Sequence, residues 1–102
     1  MPAFAVVELK ILNLPGMTPY MAAVEGTITA HGGSYLARPT PAQIAGNADI
    51  VEGDADPYPV KVILSFPSLA AGRSWYHSPE YQAILPFRTS NSVGKFYWLE
   101  SV

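Results

Sequence analysis

The stretch from Phe66 to Arg88, FPSLAAGRSWYHSPEYQAILPFR, contains two helix-start signals close together. Ser68 and Ser78 each precede a helix-forming run, where a serine oxygen can accept a hydrogen bond from the free backbone N–H groups of a helix. Pro79 suits the first helical position, and Glu80 faces the positive end of the helix dipole. The stretch therefore predicts two consecutive helices that meet at an aromatic corner.

Alternating side chains predict four strands in the rest of the chain: residues 3–12, Ser34–Arg38, Val60–Phe66 and Lys95–Val102. A helix capped by Thr18 lies between the first two strands and ends at Gly32. Pro86 is expected to kink or end the last helix. The resulting order predicts one α+β domain over residues 1–102, with a ferredoxin-like βαββαβ fold and an antiparallel four-stranded sheet.

The segment from Pro39 to Pro59 is the least regular part of the sequence, because it combines four prolines with half of the acidic residues. We expect a short helical turn around residues 42–45 and an edge strand over residues 48–52. The strands on either side are predicted to pair with each other.

One face of the predicted sheet is mixed, because Glu8, Lys10 and Lys61 stand among Val6 and Ile63. Helices can cover only the other face, and charged residues make up 14% of the chain against about 25% in typical domains. The mixed face is therefore expected to join a homodimer through its sheet, with a small pocket enclosed between the subunits.

Charge and composition exclude several partner classes. The net charge of −2 and the pI near 5.5 argue against binding to nucleic acid. No apolar run is long enough to cross a membrane, and the N-terminus lacks the basic start of a signal peptide. With no cysteine and only two histidines, the sequence predicts neither a metal site nor a cofactor. We expect a cytoplasmic protein.

Three motifs identify a resemblance to a known family: HGGSYLAR (His31–Arg38), FPS (Phe66–Ser68) and WYHSPEYQ (Trp75–Gln82). They resemble a small bacterial domain-of-unknown-function family in the dimeric α/β-barrel superfamily. The resemblance implies a ferredoxin-like fold and a sheet-to-sheet homodimer. It implies no established reaction, since this superfamily includes cofactor-free monooxygenases, muconolactone isomerases and haem-dependent enzymes. Gly72 departs from the helix former expected at its position.

Two residues are candidates for proton transfer. His31 is one because histidine is the residue type that most readily gains and loses a proton near neutral pH, and its alternative role is to cap the C-terminus of the first helix. Glu8 becomes a candidate general base if a dimer interior raises its pKa, although an ion pair with Lys61 or Lys10 explains it equally well.

Five residues are candidates for substrate binding. Arg38 and Arg88 can each hold a carboxylate or enolate oxygen, or else serve a structural role. Tyr35, Trp75 and Tyr81 can contact a ligand, or else pack in the core. The sequence thus favours binding, and cofactor-independent conversion, of a small organic acid or aromatic metabolite. The alternative is a non-catalytic dimeric ligand-binding or interaction module.

Overall fold

The computed structural model describes the whole chain, Met1–Val102, and its elements follow the predicted order. The strands are β1 (Ala3–Ile11), β2 (Ser34–Ala37), β3 (Val60–Phe66) and β4 (Ser92–Glu100). The helices are α1 (Thr18–Thr29), the single turn α2 (Pro41–Ile44), α3 (Leu69–Tyr76) and α4 (Pro79–Thr89). The strands form one antiparallel sheet in the order β2-β3-β1-β4, which confirms the predicted ferredoxin-like α+β fold.

Strand register separates an apolar face from a mixed face, as the alternation predicted. On the helix-covered face, Ala5 lies between Leu64 on β3 and Trp98 on β4. The largest fully buried side chains all lie in this layer: Trp75, Tyr81, Phe66 and Ile28. The core therefore lies between the helices and one face of the sheet.

Both serine caps form. The Ser68 hydroxyl accepts a hydrogen bond from the Ala71 backbone N–H at 3.1 Å, and the Ser78 hydroxyl accepts one from the Tyr81 N–H at 3.3 Å. Because the Ser78 cap fixes where α4 begins, it also fixes which residues of α4 face the sheet. Tyr81 and Arg88 are the buried residues of that helix.

The prediction of Thr18 as a helix cap is wrong, and of the two alternatives for Pro86, a kink or the end of the helix, the second is excluded. Thr18 is the first residue of α1 and does not cap it, because a 3₁₀ turn over Pro15–Met17 already holds the backbone in a helical conformation. Pro86 lies inside α4, which continues to Thr89. Ser92, which follows the helix, stabilises its last turn, because the Ser92 hydroxyl donates a hydrogen bond to the Arg88 carbonyl at 2.6 Å.

The Pro39–Pro59 segment contains the expected turn but no strand. Thr40 and Gln43 form a reciprocal capping box around α2. Gln43 Oε1 also accepts from the Lys61 backbone N–H at 3.3 Å, so α2 lies against the edge of β3, and the edge strand predicted over residues 48–52 does not form. An ion pair between Asp56 and Lys61 fastens the end of the segment to the sheet.

Gly72 is a requirement of packing. A Cβ atom at this position would lie 2.5 Å from the indole of Trp98, closer than non-bonded atoms approach. The absent side chain lets Trp98 pack across α3, where its ring meets Phe66 edge-on at a centroid distance of 6.0 Å. The expectation of a better helix former is therefore wrong, since close packing outweighs helix propensity here.

No helix of the fold is both long enough and apolar enough to cross a membrane.

Candidate functional site

A cavity of about 300 Å³ opens between α1 and the helix-covered face of the sheet. Ten of its twelve lining residues are hydrophobic, among them Met17, Met21, Val24 and Val62. The polar groups on its wall are few, which is typical of pockets that bind small apolar molecules.

A deeper recess of about 50 Å³ adjoins this cavity and extends toward α4. The two spaces share lining residues, including Tyr20 and Tyr35. The recess continues past them to Trp75 and Arg88. The inner end of the cavity system therefore carries a cation, whereas most of its wall is apolar.

Arg88 is buried without an acidic partner. The residue is only 8% exposed, its guanidinium forms no ion pair, and its Nε atom has no hydrogen-bond acceptor. Arginine keeps its charge in proteins, so this position holds a desolvated positive charge. The nearest aromatic face is that of Tyr20, whose ring centroid lies 5.8 Å from the guanidinium carbon. Arg88 forms no ion pair with Glu52 or Glu80.

Two buried phenols lie beside Arg88. The hydroxyl oxygens of Tyr20 and Tyr81 are 2.9 Å apart and share a hydrogen bond. Burial raises the pKa of both tyrosines, and the guanidinium of Arg88 only partly opposes this rise. Both side chains therefore remain neutral phenols at physiological pH and can donate hydrogen bonds.

Arg38 lies at the mouth of the cavity with its charge already compensated. It stacks over the ring of Tyr35 at 3.9 Å and pairs with the Glu25 carboxylate at 2.5 Å. Both partners of this ion pair are more than half exposed, so the pair is screened by water. Arg38 is thus less suited than Arg88 to hold a ligand's acidic group.

The structure brings four of the predicted residues together and separates the others. Tyr35, Arg38, Trp75 and Arg88 line the cavity or its recess. Tyr81 lies behind them, with its ring 4.2 Å from that of Trp75. These four residues and the cavity lie on the covered side of the sheet, not on the mixed side where a ligand pocket was expected.

His31 adopts the capping alternative. Its Nδ1 atom lies 3.1 Å from the carbonyl oxygen of Thr27, near the end of α1. The side chain lines neither the cavity nor the recess. The structure therefore does not bring this histidine to Arg88.

Glu8 lies on the opposite, mixed face of the sheet. Its carboxylate accepts a hydrogen bond from Lys61 Nζ at 2.6 Å, and Lys95 Nζ lies 3.7 Å away. The hydrogen bond from Lys61 is the main reason that the pKa of Glu8 is lowered. A general base needs a raised pKa, and within one protomer Glu8 does not have one.

Tyr20 is the cavity residue that the sequence interpretation missed. It lies on α1 and packs edge-on against the ring of Tyr81. A signal was present, since tyrosine adds a hydroxyl that core packing does not need and that must find a partner when buried. No group of three or more His, Cys, Asp or Glu side chains lies close enough together to hold a metal ion.

Comparison with known proteins extends this description. The model of DUF1330, a domain of unknown function, matches residues 2–102. Among curated proteins, none matches the chain.

Several solved structures share the fold at low sequence identity. A protein of unknown function from Rhodopseudomonas palustris is 16% identical with a TM-score of 0.73, over 99% of this chain and 82% of that one. A dimeric ferredoxin-like protein of unknown function from Jannaschia sp. CCS1 is 14% identical with a TM-score of 0.73, over 99% of this chain and 100% of that one. SnoaB, a cofactor-independent oxygenase from Streptomyces nogalater, is 9% identical with a TM-score of 0.62, over 99% and 93%.

Proposed function

Because the chain belongs to the DUF1330 family, whose function is unknown, we propose its function from the cavity between its helices and its sheet. The protein binds a small organic acid, or an aromatic metabolite with an acidic group, whose apolar body lies along the outer cavity. Arg88 holds the acidic group at the inner end.

This proposal rests on Arg88, whose buried guanidinium has no anionic partner and whose Nε–H has no acceptor. Burying a charge without a partner costs several kcal/mol, so buried arginines are normally paired with a carboxylate or phosphate. No acidic side chain of the protomer supplies that partner. An anionic ligand in the recess supplies it, and two parallel N–H···O bonds suit a carboxylate.

The cavity also limits the size of the ligand. Its volume of about 300 Å³ is at the lower end of the range for small-molecule pockets. A single aromatic ring or a short alkyl chain matches this space and the hydrophobic wall. A nucleotide does not match it, because it needs more room and several polar contacts.

Conversion of the bound acid without a cofactor is the second candidate function. Arg88 can stabilise an enolate or phenolate oxygen that develops during a reaction, as preorganised donors do in other enzymes. The cofactor-independent oxygenase SnoaB supports this idea as an analogy of fold. The alternative is a module that binds the acid and does not convert it. Product formation from a bound acid distinguishes the two.

The mixed face of the sheet is proposed to join two protomers. Val93, Tyr97 and Leu99 on β4 are each more than a third exposed there. Large exposed apolar patches mark interaction sites, and a second copy presents a matching face. The dimeric state of the Jannaschia protein supports the same arrangement. We place this homodimer in the cytoplasm.

Calorimetric titration with matched acids and amides tests the binding proposal. Benzoate, cinnamate and hexanoate are each expected to bind at least about tenfold more tightly than their primary amides, because only the acids carry a charge for Arg88. Equal affinity of acid and amide, or no binding of any acid at millimolar concentration, contradicts the proposal.

A further inference from the structure

We infer that Tyr20 is a second hydrogen-bond donor to the ligand, and that Arg88 and Tyr20 together select a carboxylate over an acid with a single charged oxygen. This inference rests on the proposed function, because it assumes that the ligand's acidic group lies at Arg88. It adds a residue that determines specificity and narrows the class of ligand.

Position on the cavity wall distinguishes the two phenols. Tyr20 lines both the outer cavity and the recess, whereas Tyr81 lines neither. The Tyr20 ring lies beside the guanidinium of Arg88, with 5.8 Å between the ring centroid and the guanidinium carbon. A group held by Arg88 in the recess is therefore also next to Tyr20.

The two phenols together have one more hydrogen-bond donor than the bond between them uses. Two hydroxyls carry two protons, and only one of them lies between the oxygens of Tyr20 and Tyr81. The Tyr20 hydroxyl has no other hydrogen-bond partner, and the Tyr81 hydroxyl has only the Arg88 guanidinium beside it, which donates to its oxygen. When Tyr81 donates to Tyr20, the free proton is that of Tyr20, on the cavity wall.

Arg88 favours this direction of donation. A guanidinium has no acceptor atom, so it repels the proton of a neighbouring hydroxyl and attracts its oxygen. Against the effect of burial, Arg88 lowers the pKa of both phenols, but only the Tyr81 hydroxyl also has a hydrogen bond from the guanidinium. The contact at 2.9 Å allows either hydroxyl to donate, and the guanidinium beside Tyr81 favours donation from Tyr81 to Tyr20. The chain of donation runs from Tyr81 to Tyr20 to the ligand.

Two adjacent donors suit an acid with two equivalent oxygens. A carboxylate can accept from the guanidinium with one oxygen and from the Tyr20 hydroxyl with the other. A phenolate has one charged oxygen and depends mainly on Arg88. Loss of the Tyr20 hydroxyl is therefore expected to weaken carboxylate binding selectively.

The test compares Tyr20→Phe and Tyr81→Phe by titration with cinnamate and with pentafluorophenolate. Tyr20→Phe is expected to weaken cinnamate binding by about tenfold, the effect of one hydrogen bond to a charged group, and pentafluorophenolate binding by less than about threefold. Tyr81→Phe removes the hydroxyl that orients Tyr20 but leaves the Tyr20 proton in place, so its loss of cinnamate affinity is expected to be smaller than that of Tyr20→Phe.

A purely structural role for the phenols predicts a different result, namely equal losses for both ligands in both variants. That result, or unchanged cinnamate affinity in Tyr20→Phe, overturns the inference. The proposed function is still supported in that case if Arg88→Met weakens cinnamate binding by about a hundredfold. Failure of the wild-type protein to bind cinnamate overturns both. Circular dichroism of each variant verifies that the fold is retained.

Discussion

Replacement of Arg88 with methionine is expected to weaken cinnamate binding by about a hundredfold, because a charge paired with a ligand in a buried site is worth several kcal/mol. The same change is expected to leave the protein equally stable or to stabilise it by about 1–3 kcal/mol. Methionine fills a similar space and removes a desolvated charge that has no partner in the protomer. Calorimetry and urea unfolding measure the two effects separately.

Arg73→Met is the matched control for this experiment. Arg73 lies on α3, is exposed, and lines neither the cavity nor its recess. We expect cinnamate affinity and the free energy of unfolding to remain close to the wild-type values in this variant. Arg88→Lys keeps the charge but loses the planar fork, so it should restore only part of the affinity.

The two measurements distinguish a binding residue from a structural one. Loss of a binding residue lowers cinnamate affinity without lowering the free energy of unfolding. If Arg88→Met binds cinnamate as tightly as the wild-type protein, the acidic group is not held at this position. If it instead lowers the free energy of unfolding by several kcal/mol, the guanidinium has a structural role.

Truncation of Trp75 to alanine is expected to lower the free energy of unfolding by about 3–5 kcal/mol, a large part of the 5–15 kcal/mol that stabilises a typical domain. The indole is 1% exposed and lies 4.2 Å from the ring of Tyr81. Its Nε1–H donates to the Thr27 hydroxyl at 3.0 Å, which joins α3 to α1. Urea unfolding followed by circular dichroism measures the loss.

Trp98→Ala is the control for the effect of ring size. Trp98 also faces the helices, but it is only half-buried, so its truncation should cost clearly less than that of Trp75. Equal losses in the two variants, or a loss below about 1 kcal/mol for Trp75→Ala, contradict the assignment of Trp75 to the core.

Local signals predicted the fold well because each acts over a few residues. The serine caps at Ser68 and Ser78 and the alternation in β1 and β3 need only the neighbouring chain, and all of them are present. The predicted strand over residues 48–52 is wrong, and the contact that the local pattern could not show is the hydrogen bond from the Lys61 N–H at the edge of β3 to the Gln43 side chain. The expectation of a better helix former at Gly72 is wrong for a similar reason. The side chain that needs the space is Trp98, which lies on a strand far along the chain.

The candidate site was predicted only in part. Arg88 and Trp75 were named from their residue types, and the fold brings both to the recess. Sequence alone could not show that Arg88 has no acidic partner, since this depends on the position of every carboxylate in the fold. It also could not show which face of the sheet carries the cavity. The prediction therefore assigned Glu8 and Arg88 to one site, although the sheet separates them.

The most direct test locates a bound acid by two-dimensional NMR of isotope-labelled protein during titration with cinnamate. We predict that the side-chain N–H resonances of Arg88 Nε and Trp75 Nε1 shift, whereas backbone resonances of Lys61 and Tyr97 on the mixed face do not. Shifts confined to the mixed face would place the acid between subunits and contradict a binding site at Arg88.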